Sequence, residues 1–190
     1  MVQTPVKPLT IEAFLALPET KPASEFIDGK IVQKPMPQGK HSRLEDKLVK
    51  VINNAAEEKK IACAIPELRC TFDGRSIVPD IAVFTWDRIP TDEDGEIANI
   101  FSLAPDWIIE ILSPGQNIAK VTRKILHCLQ HGTQMGWLIE PAHKSVLIYP
   151  SQQEMEVVEM AEEPQAVLPM PSFMKELSMT PEDLFALLQL

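Results

Sequence analysis

Pro105-Asp106-Trp107-Ile108-Ile109-Glu110-Ile111-Leu112-Ser113-Pro114 is the stretch on which the fold turns. Its centre is a run of apolar and β-branched residues closed by Ser-Pro, the pattern of a short buried strand. One carboxylate, Glu110, stands inside that run. An unpaired buried carboxylate costs on the order of several kcal/mol even after the protein relaxes around it. The strand therefore calls for a cation beside Glu110, either a metal ion or a lysine or arginine.

Working outward, the spacing predicts further strands and helices on both sides. Upstream, residues 63–72 read as a strand containing Glu67, Asp73-Gly74 as a turn, and residues 77–84 as the neighbouring strand, with Asp80 after Pro79. Downstream, residues 117–131 read as a helix whose Ile118, Val121, Ile125, Cys128 and Leu129 face inward. Lys124 lies at the edge of that apolar stripe. Its stem can follow the core and deliver the ammonium to a nearby pocket. His127 and His131 fall on the outer face and, with no third ligand in view, read as surface residues. Strands over 136–140 and 145–149 close the core, and 151–171 reads as one or two edge strands plus loop.

Nearer the start, Thr10 caps a short helix that Pro18 ends. Asp28-Gly29 is the turn of a hairpin over residues 25–32. A helix over 40–60 turns Leu44, Leu48, Val51, Ile52 and Ala55 inward. His41 joins that face near the helix start, as a buried or capping histidine or as a polar group at the rim of a site. Residues 91–96 form an exposed acidic loop. Thr180-Pro181 opens a last helix over 184–188. This order of elements implies an α/β fold, a mixed β-sheet flanked by helices. The expected organisation is one domain over residues 1–190. Residues 1–38 are its helix and hairpin, 39–150 its core, and 151–190 an acidic edge segment and final helix.

Composition narrows the class. The chain has 190 residues, 45% of them hydrophobic, enough for one domain with a real core. No apolar run nears the ~20 residues of a membrane span, and the first residues carry no signal pattern. The expectation is a cytoplasmic protein with no membrane partner. Cys63, Cys70 and Cys128 form no CxxC pair and read as reduced thiols. The net charge of −9 is uneven, because residues 151–190 hold eight acids and one base, leaving −2 for the remainder. A local basic face for nucleic acid therefore remains compatible with the acidic total.

Glu67, Asp80, Glu110 and Lys124 fall on four consecutive elements. If their strands are neighbours, the acids can converge on a hard cation such as Mg²⁺. A lysine beside such an ion can orient or deprotonate a water, or stabilise developing phosphate charge. That chemistry is phosphodiester hydrolysis. Each residue also has an ordinary reading: Glu67 as surface beside Arg69, Asp80 as a turn cap, Lys124 as a solvated helix lysine. Glu110 and Lys124 could equally form only a buried salt bridge.

Pro79-Asp80, Glu110-Ile111-Leu112-Ser113-Pro114 and Lys124, in this order, resemble the Uma family of restriction endonucleases within the PD-(D/E)XK nuclease superfamily. Ser24-Glu25-Phe26-Ile27-Asp28-Gly29, His41, Glu67-Leu68-Arg69 and Trp137-Leu138-Ile139-Glu140-Pro141 are similar in place and type. The resemblance implies a restriction-endonuclease-like fold and DNA cleavage dependent on Mg²⁺ or Mn²⁺. Asp80, Glu110 and the carbonyl of Ile111 would hold the metal. Lys124 would replace the superfamily lysine, whose usual position here is Leu112. Glu67 would be an accessory acid, His41 would be second-tier, and a homodimer would be the assembly. Two departures stand out, Cys128 for an aromatic residue and Met135-Gly136 for a polar-aromatic pair. The alternative is a catalytically inactive nucleic-acid- or protein-binding homodimer on the same fold.

Overall fold

The computed structural model describes residues 9–190. Its first elements follow local chemistry closely. Helix α1 spans Ile11–Leu15, and Thr10 Oγ1 caps it by accepting from Ala13 N at 3.2 Å. Strands β1 (Ser24–Ile27) and β2 (Lys30–Gln33) form the expected hairpin. Asp28 and Gly29 both take positive φ at its turn, as a two-residue hairpin loop requires. Helix α2 spans Gly39–Ala56 and buries His41, Leu44, Leu48, Ile52 and Ala56 along one face.

The region between α2 and the Glu110 strand departs from expectation. Residues 63–72 are not one strand. They divide into β3 (Ala62–Pro66) and β4 (Cys70–Phe72), which belong to different sheets. The break falls at Glu67, whose φ of 46° interrupts the extended chain. Residues 77–84 divide likewise into β5 (Arg75–Ile77) and β6 (Ile81–Thr85). Pro79 lies between them and has no N–H to give a ladder. Within this region the chain thus crosses between the sheets twice, at 67–69 and at 78–80, after the first passage through α2. Glu67 N donates to Asp80 O at 3.0 Å, tying the two crossings together.

Strand β7 (Trp107–Ile111) is buried at every position. Helix α3 (Ile118–Gln130) carries the chain over to β8 (Met135–Glu140), which pairs parallel with β7. A parallel pair needs such a crossover. Strands β9 (Ser145–Pro150) and β10 (Glu156–Glu159) complete a sheet of order β10-β9-β8-β7-β6-β3, so 151–171 supplies one edge strand. The smaller sheet has order β2-β1-β5-β4. Helix α4 spans Pro181–Ala186, a turn earlier than the apolar residues alone suggest, because Thr180 and Asp183 form a capping box.

Two cores flank the large sheet. Leu44, Leu48 and Ile52 of α2 pack on Ile81, Val83, Trp107, Ile109 and Ile111, together with Leu168, Met174, Leu184 and Phe185 from the last segment. On the other face Val121, Ile125 and Cys128 of α3 meet Ala82, Phe84, Ile108 and Leu138, joined by Cys70 and Ile77 of the small sheet. Gly136 is needed for that contact, since a Cβ there would lie 2.2 Å from Ile125 Cγ2. Among the described residues no helix is long and apolar enough to cross a membrane.

Candidate active site

The seam where the chain passes between the sheets holds the charged residues. The β6–β7 ladder pairs Ile81 with Ile109, and Asp80 lies immediately before it, beside Glu110 and Ile111. Strands β3, β6 and β7 are consecutive neighbours, as the carboxylate arrangement required. Asp80 is 2% exposed and Glu110 1%.

Asp80 is held from three directions. Its Oδ2 accepts from Ile111 N at 2.7 Å and lies 3.1 Å from His41 Nε2. Its Oδ1 accepts from Lys34 Nζ at 2.6 Å. Burial opposes the charge on Asp80, but the His41 hydrogen bond and the Lys34 charge outweigh it and hold the carboxyl well below the usual range. Asp80 is therefore a stable carboxylate at neutral pH.

Glu110 is held by one cation. Lys124 Nζ lies 3.0 Å from both carboxylate oxygens and donates to Oε2. Oε1 is buried and receives no hydrogen bond among the described residues. Burial pushes the Glu110 carboxyl up to about 7; the Lys124 charge opposes this and Asp80 adds to it. Lys124 also donates to Glu25 Oε1 at 2.8 Å. Burial works against the ammonium, but Glu110, Glu25 and Asp80 together raise its pKa. The lysine stem does what its place on α3 suggested: it runs along the core and ends at the strand.

Sequence reasoning missed two residues of this group, Lys34 and Glu25. Lys34 also donates to Val78 O at 3.0 Å, and Glu25 Oε1 accepts from Val78 N at 2.8 Å. The only signal for Glu25 was a carboxylate beside Phe26-Ile27 at a hairpin start; Lys34 gave none. Glu45, one turn beyond His41 on α2, was missed as well. Its Oε2 lies 3.7 Å from His41 Nδ1, and burial, then the Asp80 charge, pushes its carboxyl up to about 7.

Glu67 does not join the buried carboxylates. Its side chain is 52% exposed, and its one site contact is Lys34 Nζ at 3.9 Å. The positive φ that breaks the strand turns it outward. His127 corrects the expectation in the other direction. It is buried rather than superficial, because Phe72 of the small sheet stacks on its ring at 5.0 Å. His131 is partly exposed.

The donor set suits a hard divalent ion. Two buried carboxylates offer oxygen, and Glu110 Oε1, in ion-pair range of Lys124 but without a directed hydrogen bond among the described residues, keeps lone-pair capacity for an ion. Beside the group lies a cleft of about 550 Å³ whose lining includes Lys40, His41, Ser113, Gln116, Glu140 and His143. His41 is the residue common to the cleft and the carboxylate group.

A mixed sheet with two acids and a lysine gathered at its central strands defines a restriction-endonuclease-like fold. The chain belongs to the Uma2 family, described as "Putative restriction endonuclease", whose model matches residues 11–182. It is similar to a crystal structure from Anabaena variabilis described as a "putative nuclease". The two are 59% identical with a TM-score of 0.92 over 95% of this chain and 99% of that one. A cryo-EM structure of a DrdV–DNA complex is far more distant, 12% identical with a TM-score of 0.38 over 79% of this chain and 13% of that one. No curated protein matches the chain.

Proposed function

We propose that the chain is a metal-dependent endodeoxyribonuclease that hydrolyses DNA phosphodiester bonds. One observation carries this reading: the buried Asp80–Glu110–Lys124 group, in which Glu110 Oε1 lies 3.0 Å from Lys124 Nζ yet accepts no well-directed hydrogen bond among the described residues. Asp80 and Glu110, with the carbonyl of Ile111, would hold Mg²⁺ or Mn²⁺. Such an ion, when bound, supplies Lewis acidity to a phosphoryl oxygen and acidifies a water.

The protein's own residues have separable tasks. Asp80 stays ionised and is fixed by His41, Lys34 and the Ile111 N–H. Lys124, clamped between Glu110 and Glu25 with its pKa raised, remains protonated at neutral pH. It therefore acts as a charged donor that orients water or stabilises phosphoryl charge, not as a proton acceptor. His41 positions Asp80 at the cleft wall. Glu67, beside Lys34 on the exposed side, keeps an accessory place. A homodimer belongs to the same reading, because one site per chain cuts one strand and a double-strand break needs two.

The test is plasmid nicking by purified protein with Mg²⁺ or Mn²⁺, beside an Asp80→Ala control. Wild type should nick and the variant should not; equal nicking by both rejects the reading. A second reading, a non-catalytic binding scaffold, draws on Lys34 and Lys124 already pairing both acids. Calorimetry with no heat of binding at millimolar Mg²⁺ would favour it.

A further inference from the structure

We propose that Asp73, His127 and His131 form a second metal site, for a divalent transition ion of the Zn²⁺ class. It is independent of the carboxylate site and of the nuclease reading. One ligand atom from each residue lies within 4.8 Å of the other two. Tetrahedral zinc with ligand bonds near 2.0–2.1 Å sets its ligands about 3.4 Å apart, so small side-chain movements close the set. Among the described residues this is the one group of three or more such side chains gathered so tightly.

Two observations point to an ion. His127 is 5% exposed, and its Nε2 is buried with no hydrogen-bond partner among the described residues. An imidazole nitrogen buried without a partner loses its solvation with no return. The second is the protonation pattern of His131. Its Nδ1 lies 2.7 Å from the His127 carbonyl oxygen, which can only accept, so Nδ1 carries hydrogen. In a neutral ring the other nitrogen is then a lone pair, yet Nε2 faces Asp73 Oδ2 at 3.1 Å. Two acceptors face each other there unless a proton or a metal ion lies between them. A ring N–H held by a main-chain carbonyl is also the arrangement that orients metal-ligating histidines.

The sequence supplies the geometry. His127 and His131 are four residues apart at the end of α3 and so share one side of it, with ring centroids 4.5 Å apart. Asp73 begins the β4–β5 turn at φ 44°. Phe72 covers the His127 ring, and the nearby Arg75 is engaged by Asp28 at 2.7 Å. Two imidazoles and one carboxylate select a borderline ion, whereas Asp80 and Glu110 offer only oxygen. Three protein ligands leave a fourth position for water or a partner's side chain. The ion would clamp the small sheet to the helix that carries Lys124.

The experiment is a Co²⁺ titration of the metal-free full chain in excess Mg²⁺, read by visible absorption. Mg²⁺ takes oxygen ligands and leaves an imidazole site free for Co²⁺. One equivalent of Co²⁺ should give d–d bands that Zn²⁺ removes. D73N and H131A, both at accessible positions, should weaken Co²⁺ affinity by about tenfold or more. H127Q should do the same and retains a side chain that can fill the space. No bands in wild type under excess Mg²⁺, or bands unchanged in D73N and H131A, would each overturn the site.

Discussion

Lys124 shows how one side chain can satisfy a requirement set fourteen residues away. It is 6% exposed and pairs with Glu110 and Glu25 at once. Removing one partner of a buried ion group leaves uncompensated charge, so K124M should lose about 3–5 kcal/mol of stability by urea unfolding. Adding E110Q to K124M should restore part of that loss, which a double-mutant cycle would read directly. The need for a cation at Glu110 was legible because its neighbours are apolar. Lys34 and Glu25 were not, since each is buried only by docking of a hairpin whose own pattern is amphipathic. The neighbour that His127 and His131 find in Asp73 was hidden for a different reason: Asp73 sits in a turn of another sheet, distant in sequence from α3.

Among elements, α3 depends on the one residue that lacks a side chain beneath it. G136A would drive a methyl group into Ile125 Cγ2, and overpacking of this kind costs about 1–3 kcal/mol. Because α3 also carries Lys124, plasmid nicking should fall along with the melting temperature. Helix α4 offers a pH test. Asp183 accepts from Thr180 N at 2.9 Å, and its carboxyl is held below the usual range by hydrogen bonds from the Thr180 backbone and side chain. Its stabilisation is present above the unfolded pKa and is lost as pH falls through the lower folded value. D183A should cost about 0.5 kcal/mol near neutrality, small because solvent screens the group. Urea melts of wild type and D183A should begin to approach each other near the unfolded aspartate value of about 3.9 and converge only below the lower folded value. Caps, hairpin turn and amphipathic stripes were legible because they are written in adjacent residues. The division of 63–72 was not, because Glu67 adopts positive φ without being glycine.

At the scale of the molecule, the mixed sheet between helices was legible from the order of strands and helices. Its partition into two sheets was not, because the crossings at 67–69 and 78–80 are made by a few residues that prolong strand-like runs. The acidic end of the chain proves structural: Leu184 and Phe185 are buried in the α2 core, and Trp137 Nε1 donates to Pro169 O at 3.2 Å. F185A should therefore cost about 3–5 kcal/mol by thermal or urea unfolding, as for a core aromatic. The short hairpin β1–β2 and its exit have a wider effect. Glu25 and Lys34 ride on that ribbon, one of each sign, and touch Lys124 and Asp80 respectively. Peeling the ribbon away would strip a negative charge from one pole of the centre and a positive charge from the other. The seating of residues 24–34 thus sets the balance felt by two acids in and beside strands that those residues never pair with.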